Sequence, residues 1–163
     1  LIGGPMGVGK TAAGQALKLL LDRSVFLDGD WCWDMHPFRV TEETKELVLG
    51  NIALLLNRFL RCSACDHVIL AWVLHRQEIL DALLEQVDTA GCAVRPISLV
   101  CRPEVLRARI GADIAAGRRD AGAAERALAY LPLYRELHTR HIDTSELTPE
   151  QAARRILERS QRT

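Results

Sequence analysis

The chain has 163 residues, 48% of them apolar, which is enough to bury one core and marks it as a single domain. Its 21 basic and 21 acidic side chains balance, so nothing points to a polyanion such as nucleic acid or to a charged membrane surface. The apolar runs are too short to span a bilayer, and no signal peptide is visible. Five cysteines, an odd number, with Cys101 inside an apolar run, are read as reduced thiols of a cytoplasmic protein. Cys62 and Cys65 have the spacing of a metal pair, but no second pair accompanies them, and they read as small residues at a helix end.

In chain order, Leu1-Ile2 reads as the tail of a strand whose start lies before it, and a helix follows from Lys10 to Leu21. Val25–Leu27 is a short strand stopped by Asp28-Gly29-Asp30. Thr41 caps a second helix that runs to Leu60, with acids in its first turn. Val68–Leu74 has the unbroken apolar character of an interior parallel strand. A helix over 78–87, a strand over Val94–Cys101 and a helix opened by Pro103 follow. Gly117–Asp120 breaks the pattern, and a helix resumes near Ala123 towards His138 with Pro132 as a kink or boundary. His141–Asp143 is a short strand, and Thr148-Pro149-Glu150-Gln151 is a strong helix start. Strands separated by helices require crossovers and a parallel sheet covered on both faces.

Gly4-Pro5-Met6-Gly7-Val8-Gly9-Lys10-Thr11 fits the pattern G-x-x-x-x-G-K-[ST]. Glycines let backbone N–H groups turn inward around an anion, where side chains would obstruct its approach. Lys10 then reaches β- and γ-phosphates, Thr11 offers a hydroxyl to Mg²⁺, and the helix continuing through Ala12 points its positive end at the phosphates. The lysine favours a nucleoside triphosphate over a dinucleotide.

Ligands of open parallel sheets bind beyond the carboxyl ends of the strands, which is where Asp28 and Asp30 fall. The strand over 68–74 ends without an acid, so Asp28 is the candidate metal-side carboxylate. Asp30 is the candidate to orient an acceptor hydroxyl and take its proton, against the plain reading of Asp-Gly-Asp as a turn. Trp31, Trp33 and Trp72 either line an acceptor pocket or pack in the core; His36 reads as structural. Arg118 and Arg119, flanked by Gly117 and Gly122, fit a lid over about 115–124 that brings a cation to the transferring phosphoryl group; the sequence does not separate the two. Arg102 falls where a nucleotide base would lie.

The segments "GGPMGVGKT", "LDGDWCW", "CRPEVLRARI", "GRRD" and "IDTSELTPEQAARRIL" together resemble the small P-loop kinases of the nucleoside-monophosphate-kinase-like group, which includes shikimate, gluconate, adenylate and chloramphenicol kinases. "DGDWCW" is similar to bacterial members described as nucleotide or AAA-family kinases. The resemblance covers nearly the whole chain. It implies a five-stranded parallel sheet in the order 2-3-1-4-5, a mobile lid, and ATP with Mg²⁺ as donor. In shikimate-kinase-like members an acid pair like Asp28 and Asp30 serves metal and acceptor. The arginine-rich site of nucleotide kinases has no evident counterpart: Arg39, Arg58 and Arg76 stand singly. The expectation is a kinase transferring the γ-phosphoryl group of ATP to a small-molecule hydroxyl. Its rivals are a nucleoside monophosphate kinase and a non-enzymatic ATP-binding switch; acceptor and oligomeric state stay open.

Overall fold

The structure, a computed structural model, describes residues 1–161. Five parallel strands form one sheet: β1 (Ile2–Gly3), β2 (Ser24–Asp28), β3 (His67–Ala71), β4 (Ile97–Val100) and β5 (Arg140–Asp143), ordered β2-β3-β1-β4-β5. The helices are α1 (Lys10–Leu20), α2 (Glu42–Leu60), α3 (Gln77–Glu85), α4 (Pro103–Ala115), α5 (Ala123–Tyr130) and α6 (Pro149–Gln161). This is the sheet order the sequence resemblance implies. Among the described residues, no helix is long and apolar enough to cross a membrane.

Strand side chains alternate between faces, so an unbroken apolar strand feeds two cores. Phe26, Ile69 and Ala71 join Ile97 and Leu99 under α1, α4 and α6 on one face. Leu27, Leu70 and Trp72 join Val48, Ile52, Leu80 and Leu83 of α2 and α3 on the other. Leu70 and Leu99, both 0% exposed, show how completely each face is covered. Burying one such side chain stabilises the fold by about 1.5–3 kcal/mol.

The helix starts follow local chemistry. The Thr41 hydroxyl accepts from the Thr44 N–H and the Thr44 hydroxyl accepts from the Thr41 N–H, closing a capping box on α2. Thr148 and Gln151 do the same for α6 at 3.2 and 2.9 Å.

The strand ends differ from the sequence reading. β3 stops at Ala71 because its neighbours run out: Ile2 of β1 and Asp28 of β2 both pair there. Trp72 adds one further backbone bond to Ile2, and residues 72–74 leave the ladder. β4 begins at Ile97, since Pro96 has no N–H to give. The helix expected from Ala123 to His138 ends at Tyr130, and Pro132 sits in the first turn of a 3-10 helix over Leu131–Glu136. Asp28 is followed by a second 3-10 helix, Gly29–Trp33, where the sequence suggested a turn.

Candidate active site

The loop between β1 and α1 is wedged into the sheet end. Val8 is buried and anchors it. Gly7 has φ +80°, and a Cβ there would stand 2.5 Å from Ile110 Cγ1 of α4, so backbone alone fits against that helix. Gly9 has φ +102° with open space where its Cβ would be, and it leads into α1 with no side chain capping the helix. Among the described residues no side chain caps the α1 start, which lies beside this glycine loop and is left for an anion to satisfy.

Lys10 donates from Nζ to the Pro5 carbonyl at 3.1 Å and, among the described residues, has no carboxylate at bonding distance. Burial lowers its pKa to about 8, with the charges of Asp30 and Asp28 acting against that shift. Thr11 donates its hydroxyl to Asp28 Oδ2 at 2.6 Å. Asp28 is buried, and its Oδ1 accepts the Asp30 N–H at 3.1 Å, capping the 3-10 helix that follows β2. One carboxylate thus ties the phosphate-loop helix to the segment carrying Asp30.

Asp30 faces a cleft of about 560 Å³ that it shares with Gly7, Gly9, Lys10, Thr11 and Arg119. Among the described residues none hydrogen-bonds its carboxylate, and the surrounding protein raises its pKa by desolvation; Lys10 opposes the rise, and the like charge of Asp28 adds to it.

α4 ends in a reversal that brings Arg119 to this cleft. Gly117 has φ +69°, its N–H reaches the Ile114 carbonyl at 2.9 Å, and the Arg118 N–H reaches the Asp113 carbonyl at 2.9 Å. This double bond pattern folds the chain back over the last helical turn. Both arginines then land on one carboxylate. Arg118 donates to Asp113 Oδ1 at 2.8 and 3.1 Å, and Arg119 Nε donates to Oδ2 at 3.0 Å. The two guanidinium groups hold the Asp113 carboxyl below the usual range. The structure separates the pair that the sequence could not: Arg119 lines the cleft with Asp113, while Arg118 is exposed outside it.

Of the three tryptophans, Trp33 lines the cleft, Trp72 packs in the core and Trp31 does neither. Trp31 is exposed and packs edge-on to Phe26 at 6.0 Å, outside the cleft lining. Trp72 is buried under Gly29, where a Cβ would stand 2.5 Å from its ring, so it supports the Asp30 segment from below. The aromatic wall of the cleft is Trp33 with Phe38, ring centroids 5.4 Å apart. A 3-10 helix turns 240° over two residues, which sends Trp31 and Trp33 to different sides.

A smaller hollow, about 170 Å³, lies behind the loop between Gly9, Arg109, Thr144 and Pro149. Arg109 donates to the Thr144 carbonyl at 2.7 Å and to the Val8 carbonyl at 3.3 Å, joining the loop to the turn after β5. Arg102, placed by the sequence beside the base, is exposed and lines neither cavity; it is held by Glu104 at 3.0 Å and by Glu146. Sequence reasoning missed Arg109 and Asp113; the one available signal for either was its place on α4, the helix that leads into the lid.

The donor set suits a magnesium nucleotide. The helix start is uncapped, the lysine carries no carboxylate partner, and a hydroxyl sits on a buried carboxylate. Among the described residues no cluster of three or more His, Cys, Asp or Glu side chains could hold a metal.

The phosphate loop, the sheet order and the crossover helices define a P-loop kinase fold of the shikimate and gluconate kinase kind. The chain belongs to the AAA domain family, whose model matches residues 1–127. Among solved structures it is similar to a gluconokinase from Sinorhizobium meliloti 1021, with TM-score 0.73 and 18% identity over 99% of this chain and 90% of that one. It is also similar to the tunicamycin resistance protein of Deinococcus radiodurans, with TM-score 0.67 and 21% identity over 99% and 94% of the two chains. A shikimate kinase from Bacteroides thetaiotaomicron aligns with TM-score 0.61 and 19% identity over 96% and 94%. At these identities the likeness is one of fold. No curated protein matches the chain.

Proposed function

We propose that the chain is an ATP-dependent phosphotransferase that moves the γ-phosphoryl group to a hydroxyl of a small molecule. One observation carries this reading: an unbonded carboxylate, Asp30, shares a cleft with Lys10 and the glycine nest. The backbone N–H groups of the loop and of the α1 start hold the β- and γ-phosphates, and Lys10 exchanges its Pro5 contact for them. Thr11 and Asp28 would hold Mg²⁺, which when bound neutralises charge on the β- and γ-oxygens. Arg109 flanks the base, while Arg102 stays on Glu104 and Glu146 outside the hollow. Residues 115–124 act as the lid, and Arg119 is the arginine placed to meet the moving charge.

Asp30 orients the acceptor hydroxyl and takes its proton as the new P–O bond forms and the bond to the β-phosphate oxygen breaks, releasing ADP. Its raised pKa makes it a better proton acceptor than an ordinary carboxylate. A phosphate acceptor needs no such base but does need cations, and Arg39, Arg58 and Arg76 are exposed and outside the cleft lining. The reading includes a cytoplasmic setting, supported by five free cysteines.

The test is transfer of label from γ-labelled ATP to a panel of nucleosides, nucleotides, sugars, polyols and antibiotics, comparing the parent with Asp30→Asn. A hydroxyl acceptor predicts a loss in kcat of about 100-fold or more with little change in ATP affinity. A nucleoside monophosphate as the labelled product, with turnover intact in Asp30→Asn, establishes the phosphate-acceptor reading instead. ATP binding with no transfer to any compound establishes the switch.

A further inference from the structure

The cleft also carries information about its acceptor, and this inference rests on the kinase reading above. Its lining divides by polarity. The loop side supplies Gly7, Gly9, Lys10 and Thr11, all committed to the donor. Beyond the loop the lining is Trp33, Phe38 and Val73, with Asp30 among them. Among the described residues the cleft has two lining cations, Lys10 and Arg119. Lys10 stands at the donor loop, and Arg119 is already paired with Asp113. Lys10 and Arg119 are both assigned to the transferring phosphoryl group, so the acceptor side presents apolar rings and the Asp30 carboxylate, with no cation of its own.

Phe38 is 62% exposed beside Trp33 and presents an aromatic face to solvent. Among the described residues the buried Trp33 indole N–H has no partner, so packing alone sets the ring. An anionic acceptor entering here would lose its hydration against Trp33 and Phe38 and meet Asp30 with no cation in compensation. An uncharged flat molecule gains ring contact and presents its hydroxyl to Asp30.

We propose that the acceptor is an uncharged, flat apolar alcohol held between the Trp33–Phe38 wall and Asp30, and that Asp30 rejects carboxylated and phosphorylated analogues. 4-Nitrobenzyl alcohol and 4-nitrobenzoate form a matched probe pair, alike in ring and opposite in charge class. Both are titrated by tryptophan-fluorescence quenching at pH 7.5 into the parent, Trp33→Phe, Phe38→Ala and Asp30→Asn. Binding of a fluorescent ATP analogue is measured separately on each protein.

The expected result is at least tenfold tighter binding of the alcohol than of the benzoate, with most quenching lost in Trp33→Phe. Phe38→Ala, an exposed position that does not threaten folding, weakens the alcohol at least fivefold and leaves the ATP analogue within twofold. Asp30→Asn collapses the alcohol-to-benzoate ratio towards one. Benzoate binding as tight as the alcohol, no measurable binding of either, or a ratio unchanged in Asp30→Asn overturns the proposal. Loss of ATP-analogue binding with the alcohol preference intact overturns the kinase reading and leaves the acceptor-site chemistry standing.

Discussion

Raising the pH from 7 to 9 weakens nucleotide binding through one side chain, Lys10. Its pKa in the free protein is lowered to about 8, first by burial. Phosphates bound in the loop favour the charged ammonium and raise that pKa, so above pH 8 the nucleotide binds only as the lysine takes up a proton. A group titrating near 8 is about 90% protonated at pH 7 and about 10% at pH 9. Affinity for the magnesium nucleotide therefore falls about tenfold between those values, with a slope approaching one decade per pH unit above 8. The assay is titration of a fluorescent ATP analogue at fixed ionic strength and magnesium across this range, with calorimetry in two buffers to count the proton taken up. Lys10→Arg keeps its charge throughout and flattens the profile. A flat profile in the parent, or an equal slope in Lys10→Arg, refutes the assignment of Lys10 to the phosphates.

Three further outcomes follow from the same geometry. Arg109→Ala weakens the ATP analogue about tenfold, equivalent to about 1.4 kcal/mol, while Arg102→Ala stays within about twofold; fluorescence titration of both variants decides between the two arginines. Asp113→Asn releases Arg118 and Arg119 together, so amide exchange across residues 116–122 accelerates while the melting temperature changes little. Acid does the same in the parent: the Asp113 carboxyl lies below the usual range, so the tether persists through the ordinary carboxylate range and is lost only at lower pH, as its folded-state pKa is crossed. Gly7→Ala forces a Cβ to within 2.5 Å of Ile110 at a φ of +80°, and denaturant unfolding should report a loss of about 1–3 kcal/mol.

Much of the architecture was legible because its signals are local. The glycine spacing, the cap at Thr148, the proline at 103 and the apolar run after Asp66 each describe their own segment, and the resemblance supplied the sheet order. Strand ends were less legible because they depend on partners: β3 stops where Ile2 and Asp28 stop. The pairing of Asp28 with Thr11 and the approach of Asp30 to Lys10 follow from β2 ending where α1 begins, at one end of the sheet. Asp113 and Arg109 were not legible. Neither belongs to a short motif, and each acquires its partners only when α4 lies against the loop and the chain reverses at Gly117. The choice of Trp33 and Phe38 over Trp31 and Trp72 as the cleft wall turned on a 3-10 helix after Asp28, where Asp-Gly-Asp suggested only a turn.

The most direct test is calorimetric titration of magnesium with a non-hydrolysable ATP analogue into the parent protein and into Lys10→Met, with circular dichroism to show that both are folded. The account predicts one site per chain in the parent and a loss of affinity of at least about tenfold in the variant. No binding to the folded parent, or equal binding to both proteins, contradicts it.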